Sequence, residues 1–150
     1  MPTMIFVNIA VDDLEASKAF YEALGWSINP AFTDANAACI VISDTIYVMI
    51  LVKPFFQQFT SKQIVDATVG NEMQLSVSAE SKDEVDEMLA KALAAGGTAS
   101  GSQDFGFMYS KSFDDLDGHH WDVMWMDEAA AAGGGPTLTD EELRAGISTT

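Results

Sequence analysis

The chain has 150 residues, of which 48% are hydrophobic, and this composition predicts a globular protein. Its formal net charge is −16 at pH 7, and residues 127–150 carry −4 of that charge. The remaining −12 lies on a body with six lysines and no arginine. This charge excludes nucleic acid and anionic membrane surfaces as partners, because both need a basic face. It also disfavours small anionic substrates, since the body has no arginine fork for a carboxylate. We therefore expect a neutral or cationic ligand.

The compartment is predicted from the cysteine content and from hydropathy. The N-terminus enters a predicted strand without a basic and then apolar leader, and no apolar run approaches membrane-spanning length. Cys39 is the single cysteine, so an internal disulfide is excluded and a reducing compartment is favoured. We expect a cytoplasmic protein in which Cys39 is a small buried strand residue.

The first half of the chain predicts one strand, one helix and three further strands. Apolar residues alternate over residues 5–11, and the helix is predicted over residues 13–24. Asp12 or Asp13 is the predicted N-cap, and Gly25 supplies the left-handed stop. The three following strands are predicted near residues 26–32, 37–42 and 45–52.

The second half repeats this order, which predicts an internal duplication. Its elements are a strand over residues 73–79, a helix over 81–95, and strands near 98–104, 107–113 and 121–126. We predict a single domain over residues 1–127, built from a first module (4–53), a connecting loop (54–70) and a second module (71–127). The loop is either a lid or a segment packed on the domain or a partner. Residues 128–150 are predicted as a low-complexity linker and tail, with one capped helix beginning near Thr139.

Two motifs carry a resemblance to a known family. Residues 11–25 read VDDLEASKAFYEALG, and residues 115–122 read DLDGHHWD, at corresponding places in the two halves. With residues 106–113 before the second motif, the chain resembles the glyoxalase/bleomycin-resistance/extradiol-dioxygenase group, or vicinal oxygen chelate superfamily, and within it a glyoxalase-like branch. The resemblance covers about residues 4–127. It implies an α+β fold of two paired βαβββ modules, whose curved mixed sheets surround a cleft.

The resemblance also implies which residues face the cleft. Superfamily enzymes hold a divalent metal with one residue from the first and one from the last strand of each module, and the matching positions here are Phe6, Met49, Gln74 and Asp122. Phenylalanine has no lone pair and methionine is a soft ligand, so we expect no tightly bound metal and no other cofactor. A divalent metal would need an improvised site made of Gln74, His120 and Asp122. Strand alternation adds neighbours to this predicted site, and aromatic residues add stacking surfaces. The predicted ligand-binding residues are Phe6, Asn8, Met49, Gln74, Ser76, Tyr109, His120, Asp122 and Trp125.

Three functions remain open from the sequence. The first is a metal-free protein that binds or sequesters a neutral or cationic small molecule, as the resemblance to acidic, dimeric bleomycin-resistance proteins implies, and a homodimer is expected with it. The second is an enzyme: a metal-dependent lyase or dioxygenase, or a metal-free isomerase with Asp122 as its catalytic base. The third is a dimeric scaffold whose cleft is filled by its own side chains, with Phe6 and Met49 as plugs.

Overall fold

The fold is α+β and consists of two βαβββ units, which confirms the predicted fold class. The structure is a computed structural model that describes residues 1–134 and 138–148. The chain divides into the units Met1–Gly70 and Asn71–Thr150. The first unit contains β1 (Ile5–Val11), α1 (Leu14–Ala23), β2 (Ser27–Asn29), β3 (Ala37–Val41), β4 (Ile46–Val52) and α2 (Lys53–Phe56). The second contains β5 (Gln74–Ser78), α3 (Lys82–Ala94), β6 (Thr98–Asp104), β7 (Met108–Asp114), β8 (His120–Met126), α4 (Asp140–Ala145) and β9 (Ile147–Ser148).

The two sheets have the same strand order and equivalent registers. In the first sheet the order is β1-β4-β3-β2, and in the second it is β5-β8-β7-β6 with β9 added at the β6 edge. The first and last strands of each βαβββ motif pair in parallel, and the other neighbours pair antiparallel. Asn8 pairs with Met49 in the first sheet, and Ser76 pairs with Asp122 in the second. Met49 and Asp122 therefore occupy equivalent positions in the two halves.

Helix α1 forms because its ends are capped and one side is apolar. The Asp13 side chain accepts a hydrogen bond from the Ala16 amide, and Gly25 follows the helix with φ of 100°. Leu14 and Phe20 are buried on the side that faces β3 and β4. The predicted cap and stop of this helix are thus confirmed.

Strand β2 is shorter than the predicted segment 26–32, and it ends at Asn29-Pro30, which the sequence also predicts as a turn. The predicted strand over residues 26–32 ends at Asn29, where Pro30–Phe32 form a 3-10 turn. Asn29 caps this turn by accepting a hydrogen bond from the Ala31 amide. Pro30 has no amide hydrogen to donate to a neighbouring strand, so the ladder cannot continue through it.

Helix α3 begins at the N-cap Ser81 and packs on β7 and β8. Its residues Val85 and Ala92 are fully buried, as are Phe113 and Trp121 of the sheet. This apolar layer holds the helix-facing side of the second sheet in place, so the opposite side is free to carry polar groups. No helix in the described parts of the chain has the length and apolar character needed to cross a membrane.

The connection and the tail carry some structure of their own. After β4 the chain forms α2, which contacts β1 and β4, and then a 3-10 turn over Gln57–Phe59. In the tail, the predicted capping box is confirmed: the Thr139 side chain accepts from the Glu142 amide, and the Glu142 carboxylate accepts from the Thr139 amide. The short strand β9 was not predicted. The end of the predicted Gly-Pro linker, residues 135–137, lies outside the described residues.

Candidate functional site

In the first unit, the side of the sheet that faces away from α1 carries an aromatic surface, which we call the aromatic face (Phe6, Asn8, Tyr47 and Met49). The Phe6 and Tyr47 rings stack with centroids 4.7 Å apart and planes inclined by 9°. The Tyr47 hydroxyl donates to the Asp44 carbonyl at 3.0 Å, which fixes its ring. Phe6 is 47% exposed. The aromatic face therefore offers an accessible, oriented ring surface.

Asn8 and Met49 complete the aromatic face beside the stacked rings. They are register partners on β1 and β4, and Met49 is half-buried. Asn8 is exposed, and its side-chain amide donates to the Phe6 carbonyl at 3.1 Å, so its side-chain oxygen can accept a hydrogen bond. The structure thus brings together the three predicted site residues of the first half, Phe6, Asn8 and Met49, and adds Tyr47, which the sequence analysis missed.

In the second unit, the equivalent side of the sheet carries a hydrogen-bonded polar cluster (Ser76, Ser100, Ser112, Asp114, His120 and Asp122). Asp122 lies at its centre, accepts hydrogen bonds from two serines and contacts His120. Ser76 Oγ donates to Asp122 Oδ2 at 3.1 Å, and Ser112 Oγ makes a short hydrogen bond to Oδ1. His120 Nε2 lies 3.0 Å from the same Oδ1. The Asp122 carboxylate is therefore held by protein donors on both of its oxygens.

His120 links the centre of the polar cluster to its edge. Its Nδ1 lies 3.1 Å from Asp114 Oδ1 and 3.3 Å from Ser100 Oγ. Both ring nitrogens therefore have partners within the cluster, and the imidazole bridges β7 and β8. Ser112 donates directly to a carboxylate and not to the imidazole, so Ser112, His120 and Asp122 do not form a nucleophile relay of the serine-hydrolase kind.

Gln74 and Ser76 lie on this side of the sheet as predicted, at the exposed edge strand β5. Gln74 is the register partner of His120 and is exposed. The predicted residues Gln74, Ser76, His120 and Asp122 thus share one surface. Ser112 and Asp114, which pair with Asp122 and His120 from β7, were missed. Their even spacing along β7 places them on one side, but only the register shows which residues of β8 they meet.

Tyr109 and Trp125, two of the predicted ligand-binding residues, do not join the polar cluster and lie on the other side of the sheet. Side chains alternate along a strand, so Trp125, three residues after Asp122, points to the opposite side. There the Tyr109 hydroxyl donates to Asp86 Oδ1 at 2.6 Å, on helix α3. The Lys82 ammonium lies 5.7 Å from the Tyr109 ring centroid and 5.3 Å from that of Trp125. Both rings therefore already contact a cation of the protein itself.

The charges around Tyr109 perturb one another. Lys111 Nζ lies 2.8 Å from Asp86 Oδ1, and this contact, followed by the Tyr109 hydrogen bond, lowers the pKa of Asp86. The pKa of Lys111 is raised, chiefly by the hydrogen bond to Asp86. Burial, and then the contact with Asp86, raises the pKa of Tyr109. The group is a structural tie between α3 and β7, with Lys111 charged and Tyr109 neutral near neutral pH.

Trp125 also lines a shallow cavity of about 450 Å³ at the end of β8. The lining residues are Ala79, Glu80, Trp125, Met126, Asp127 and Glu128. The Asp127 carboxylate accepts from the amides of Ala129 and Ala130 at 2.8 and 3.2 Å. This cavity contains no residue of the polar cluster and no other predicted site residue.

The donor groups do not fit a catalytic metal. Phe6 cannot ligate, and Met49 is a soft ligand that suits copper(I) more than zinc, iron or manganese. His120 and Asp122 already contact each other, and Asp122 accepts from two serines as well. Within residues 1–134 and 138–148, no group of three or more His, Cys, Asp or Glu side chains is placed to hold a metal ion. These side chains therefore do not form a metal centre of the kind that the superfamily's enzymes use.

Comparison with known proteins identifies a matching family model and similar solved structures. Residues 3–43 match the family model described as bleomycin resistance protein-like N-terminal. A hypothetical protein from S. aureus is 32% identical, with 83% of this chain and 94% of that chain covered and a TM-score of 0.70. A glyoxalase/bleomycin resistance protein from Albidiferax ferrireducens is 26% identical, with 80% and 95% covered and a TM-score of 0.61.

The chain belongs to the glyoxalase/bleomycin-resistance/dioxygenase superfamily, as its motifs indicate. A more distant solved structure is an antibiotic binding protein from a Streptomyces species, 14% identical, with 85% of this chain and 98% of that chain covered and a TM-score of 0.61. At that identity the likeness shows the fold alone. No curated protein matches the chain significantly.

Proposed function

We propose that this protein binds or sequesters a flat, neutral or cationic small molecule without a metal, and that the aromatic face is its contact surface. The observation that carries the proposal is the exposed Phe6–Tyr47 stack, which lies beside Met49. In the superfamily's enzymes, the positions matching Phe6 and Met49 hold metal ligands. Here they form an apolar surface, and apolar surfaces with a few directional polar groups are how small ligands are usually held.

The charge of the protein supports a preference for cations. The body carries −12, and an organic cation is attracted by this field before contact. At the surface, the face of an aromatic ring attracts a cation by about 0.5–1 kcal/mol at exposed sites. Offset stacking of a flat ligand on Phe6 contributes a further ~0.5–1.5 kcal/mol. The side-chain oxygen of the exposed Asn8 is a hydrogen-bond acceptor for a donor on the ligand.

The comparisons support a binding role by analogy. One matching family model describes bleomycin resistance proteins, and one neighbour of the same fold is an antibiotic binding protein. A shared fold alone does not carry a function from one protein to another. The proposed binding role therefore rests on the aromatic face and not on the likeness to these proteins.

The test is a thermal-shift and calorimetry screen with a matched series of planar compounds: a cation, its neutral isostere and an anion of the same ring size. We expect the cation and the neutral compound to raise the melting temperature and the anion to leave it unchanged. Phe6→Ala should weaken binding roughly 5- to 30-fold, the loss of about 1–2 kcal/mol of ring contact. Phe32→Ala is the matched control, because Phe32 is 66% exposed on the 3-10 turn after β2. Equal binding by Phe6→Ala and the parent protein would refute the role of the aromatic face.

The enzymatic alternatives have less support from the geometry. A lyase or dioxygenase would need metal ligands, and Asp122 as an isomerase base could take a substrate proton only at the acceptor site that Ser76 leaves on Oδ2, unless it gave up a hydrogen bond. Both Asp122 oxygens already accept hydrogen bonds from protein groups. Elemental analysis of the purified protein separates the metal enzymes from the binding protein. The scaffold alternative predicts no response to any compound in the screen.

The homodimer and the cytoplasmic location are part of the same proposal. Ile5 and Ile46, which are register partners, are 55% and 39% exposed, and paired exposed aliphatic residues favour an association surface. Light scattering at several protein concentrations tests the dimer. Cys39 is buried and unpaired, which is typical of a protein from a reducing compartment. Cell fractionation tests the location.

A further inference from the structure

The β6 edge of the second sheet is more open to pairing with a strand of another chain than the β2 edge of the first sheet is. In the first unit the corresponding edge strand, β2, has three residues and is followed by Pro30, so it offers little to an incoming strand. In the second unit, β6 has seven residues. It contains no proline or lysine and carries one charged residue, Asp104, at its end. A long edge strand with a single charge at its end is a template for pairing with another chain.

The end of the chain covers part of this edge. We call residues 139–148 the strap, which consists of the N-cap Thr139, helix α4 and strand β9. The Asp104 amide donates to the Gly146 carbonyl at 2.6 Å. Ile147 and Ser148 then pair antiparallel with Gln103 and Ser102. The strap thus forms hydrogen bonds with the outward-pointing backbone groups at the end of β6.

A close contact at Gly146 sets the position of the strap. A Cβ atom on residue 146 would lie 2.2 Å from a ring carbon of Phe105 and 2.8 Å from the Asp104 carbonyl oxygen. The residue has φ of −84°, so the need for glycine here comes from space and not from backbone conformation. A larger residue would push the strap away from β6.

The rest of the strap is weakly held. Helix α4 is exposed along its whole length, and Ile147 is 44% exposed. The segment therefore has few buried contacts, which is the property of regions that open locally without unfolding the domain. The capping box of Thr139 and Glu142 stabilises the helix itself and adds no contact with the sheet.

We propose that the strap is a detachable cover that keeps the β6 edge from pairing with a second copy of this chain. When the strap is released, the outward backbone groups of Ser102 and Asp104 become free, and the open edge of β6 then extends to the end of the strand. The partner that fits them is an identical β6, because two antiparallel copies of the same edge satisfy each other's backbone groups.

The test uses the full chain with Gly146→Val, and Ala145→Val at the neighbouring exposed position as its matched control. We expect hydrogen exchange of the Asp104 amide to accelerate about tenfold or more in Gly146→Val. The average mass measured by sedimentation should also rise with concentration beyond that of the parent protein. Ala145→Val should match the parent in both measurements.

A second substitution identifies the surface that associates. The Ser102 amide, two residues before Asp104, points the same way along β6, so Ser102→Pro removes an outward donor at an edge position that tolerates proline. Adding Ser102→Pro to Gly146→Val should return the mass to that of the parent. A mass that stays high, or no rise in mass once the Asp104 amide is exposed, would overturn the proposal.

A control for unfolding is built into the same exchange experiment. The Val123 amide, in the central strand β8, should keep its protection in Gly146→Val. If it does not, Thr139→Ala decides the question, since this change removes the N-cap of α4 without touching the sheet. Faster exchange at Asp104 with a rise in mass then supports the proposal, and either effect without the other overturns it.

Discussion

Replacing Asp122 by alanine removes the acceptor that the Ser76 and Ser112 hydroxyls share, together with the partner of His120 Nε2. Ser112 is 7% exposed, so its hydroxyl is left without its partner and with little access to water. An unsatisfied buried donor costs about 1–3 kcal/mol. His120 is half-buried and loses the partner of Nε2, for which we expect about 1 kcal/mol. Ser76 is exposed, and water replaces its partner at little cost.

The expected loss is therefore about 2–4 kcal/mol in the free energy of unfolding. The measurement is urea unfolding followed by tryptophan fluorescence, since Trp121 is fully buried beside Asp122 in β8. Ser76→Ala is the matched control, and it should change stability by less than about 0.5 kcal/mol because its hydroxyl is exposed. The loss of stability in Asp122→Asn should lie between the losses in Asp122→Ala and Ser76→Ala. Asparagine keeps one acceptor oxygen, but its side-chain amide is a donor that faces another donor of the polar cluster.

A double-mutant cycle shows whether the loss comes from the hydrogen bond itself. Ser112→Ala and Asp122→Ala remove the two ends of one contact, so their combined effect should be smaller than the sum by about 1–2 kcal/mol. An Asp122→Ala protein within 0.5 kcal/mol of the parent, with no coupling to Ser112, would refute this view of the polar cluster. That result would leave Asp122 available for ligands or for catalysis.

Two further predictions concern pH and metal affinity. The Lys111 ammonium lowers the pKa of Asp86, so the pair stabilises the fold above the ordinary carboxylate range near pH 4 and loses this contribution as pH falls through the lowered pKa. Asp86→Asn should therefore be less stable than the parent at pH 7 in urea unfolding, and this difference should shrink as the pH falls below the ordinary carboxylate range. A difference that does not change with pH would contradict the ion pair. Phe6→His with Met49→Glu should create affinity for cobalt or nickel, measured by calorimetry, because both side chains lie on one side of the first sheet. Ile5→His with Met49→Glu is its control, since Ile5 points to the other side, and equal affinity in both variants would contradict the assignment.

Much of the fold follows from local sequence signals. Alternation identified the strands. Asp12 or Asp13 with Gly25 identified the ends of the first helix, because caps and stops depend on neighbouring residues alone, and the structure places the cap at Asp13. The equivalence of Met49 and Asp122 also followed, since each lies five residues after the aspartate of a turn. The sheet registers place both residues at the same point of their strands. The shortening of β2 at Pro30 was available from the sequence as well, because proline cannot donate to a ladder.

The candidate site was less predictable because it depends on which residues meet across strands. The aromatic composition placed Tyr109 and Trp125 in the predicted cleft, whereas counting from Asp122 places Trp125 on the opposite side of the sheet. The contacts of Ser112 with Asp122 depend on the register between β7 and β8, which the length of the intervening turn sets. Nothing within β7 alone indicates that register. The pairing of β9 with β6 was not predictable either. Strand β9 has only two residues, which are too few to show an alternating pattern in the sequence.

The two halves carry different residues at one equivalent position, Met49 in the first and Asp122 in the second. This difference explains the polar cluster. A side chain at the position of Met49 and Asp122 faces away from the helix side of its sheet. Methionine at this point needs no partner, so the first unit can surround it with Phe6 and Tyr47. A carboxylate at the same point needs donors, since a partly buried charge without them is costly. Ser76 and Ser112 supply those donors beside His120, which is why the serines gather on the second sheet and the aromatic rings on the first.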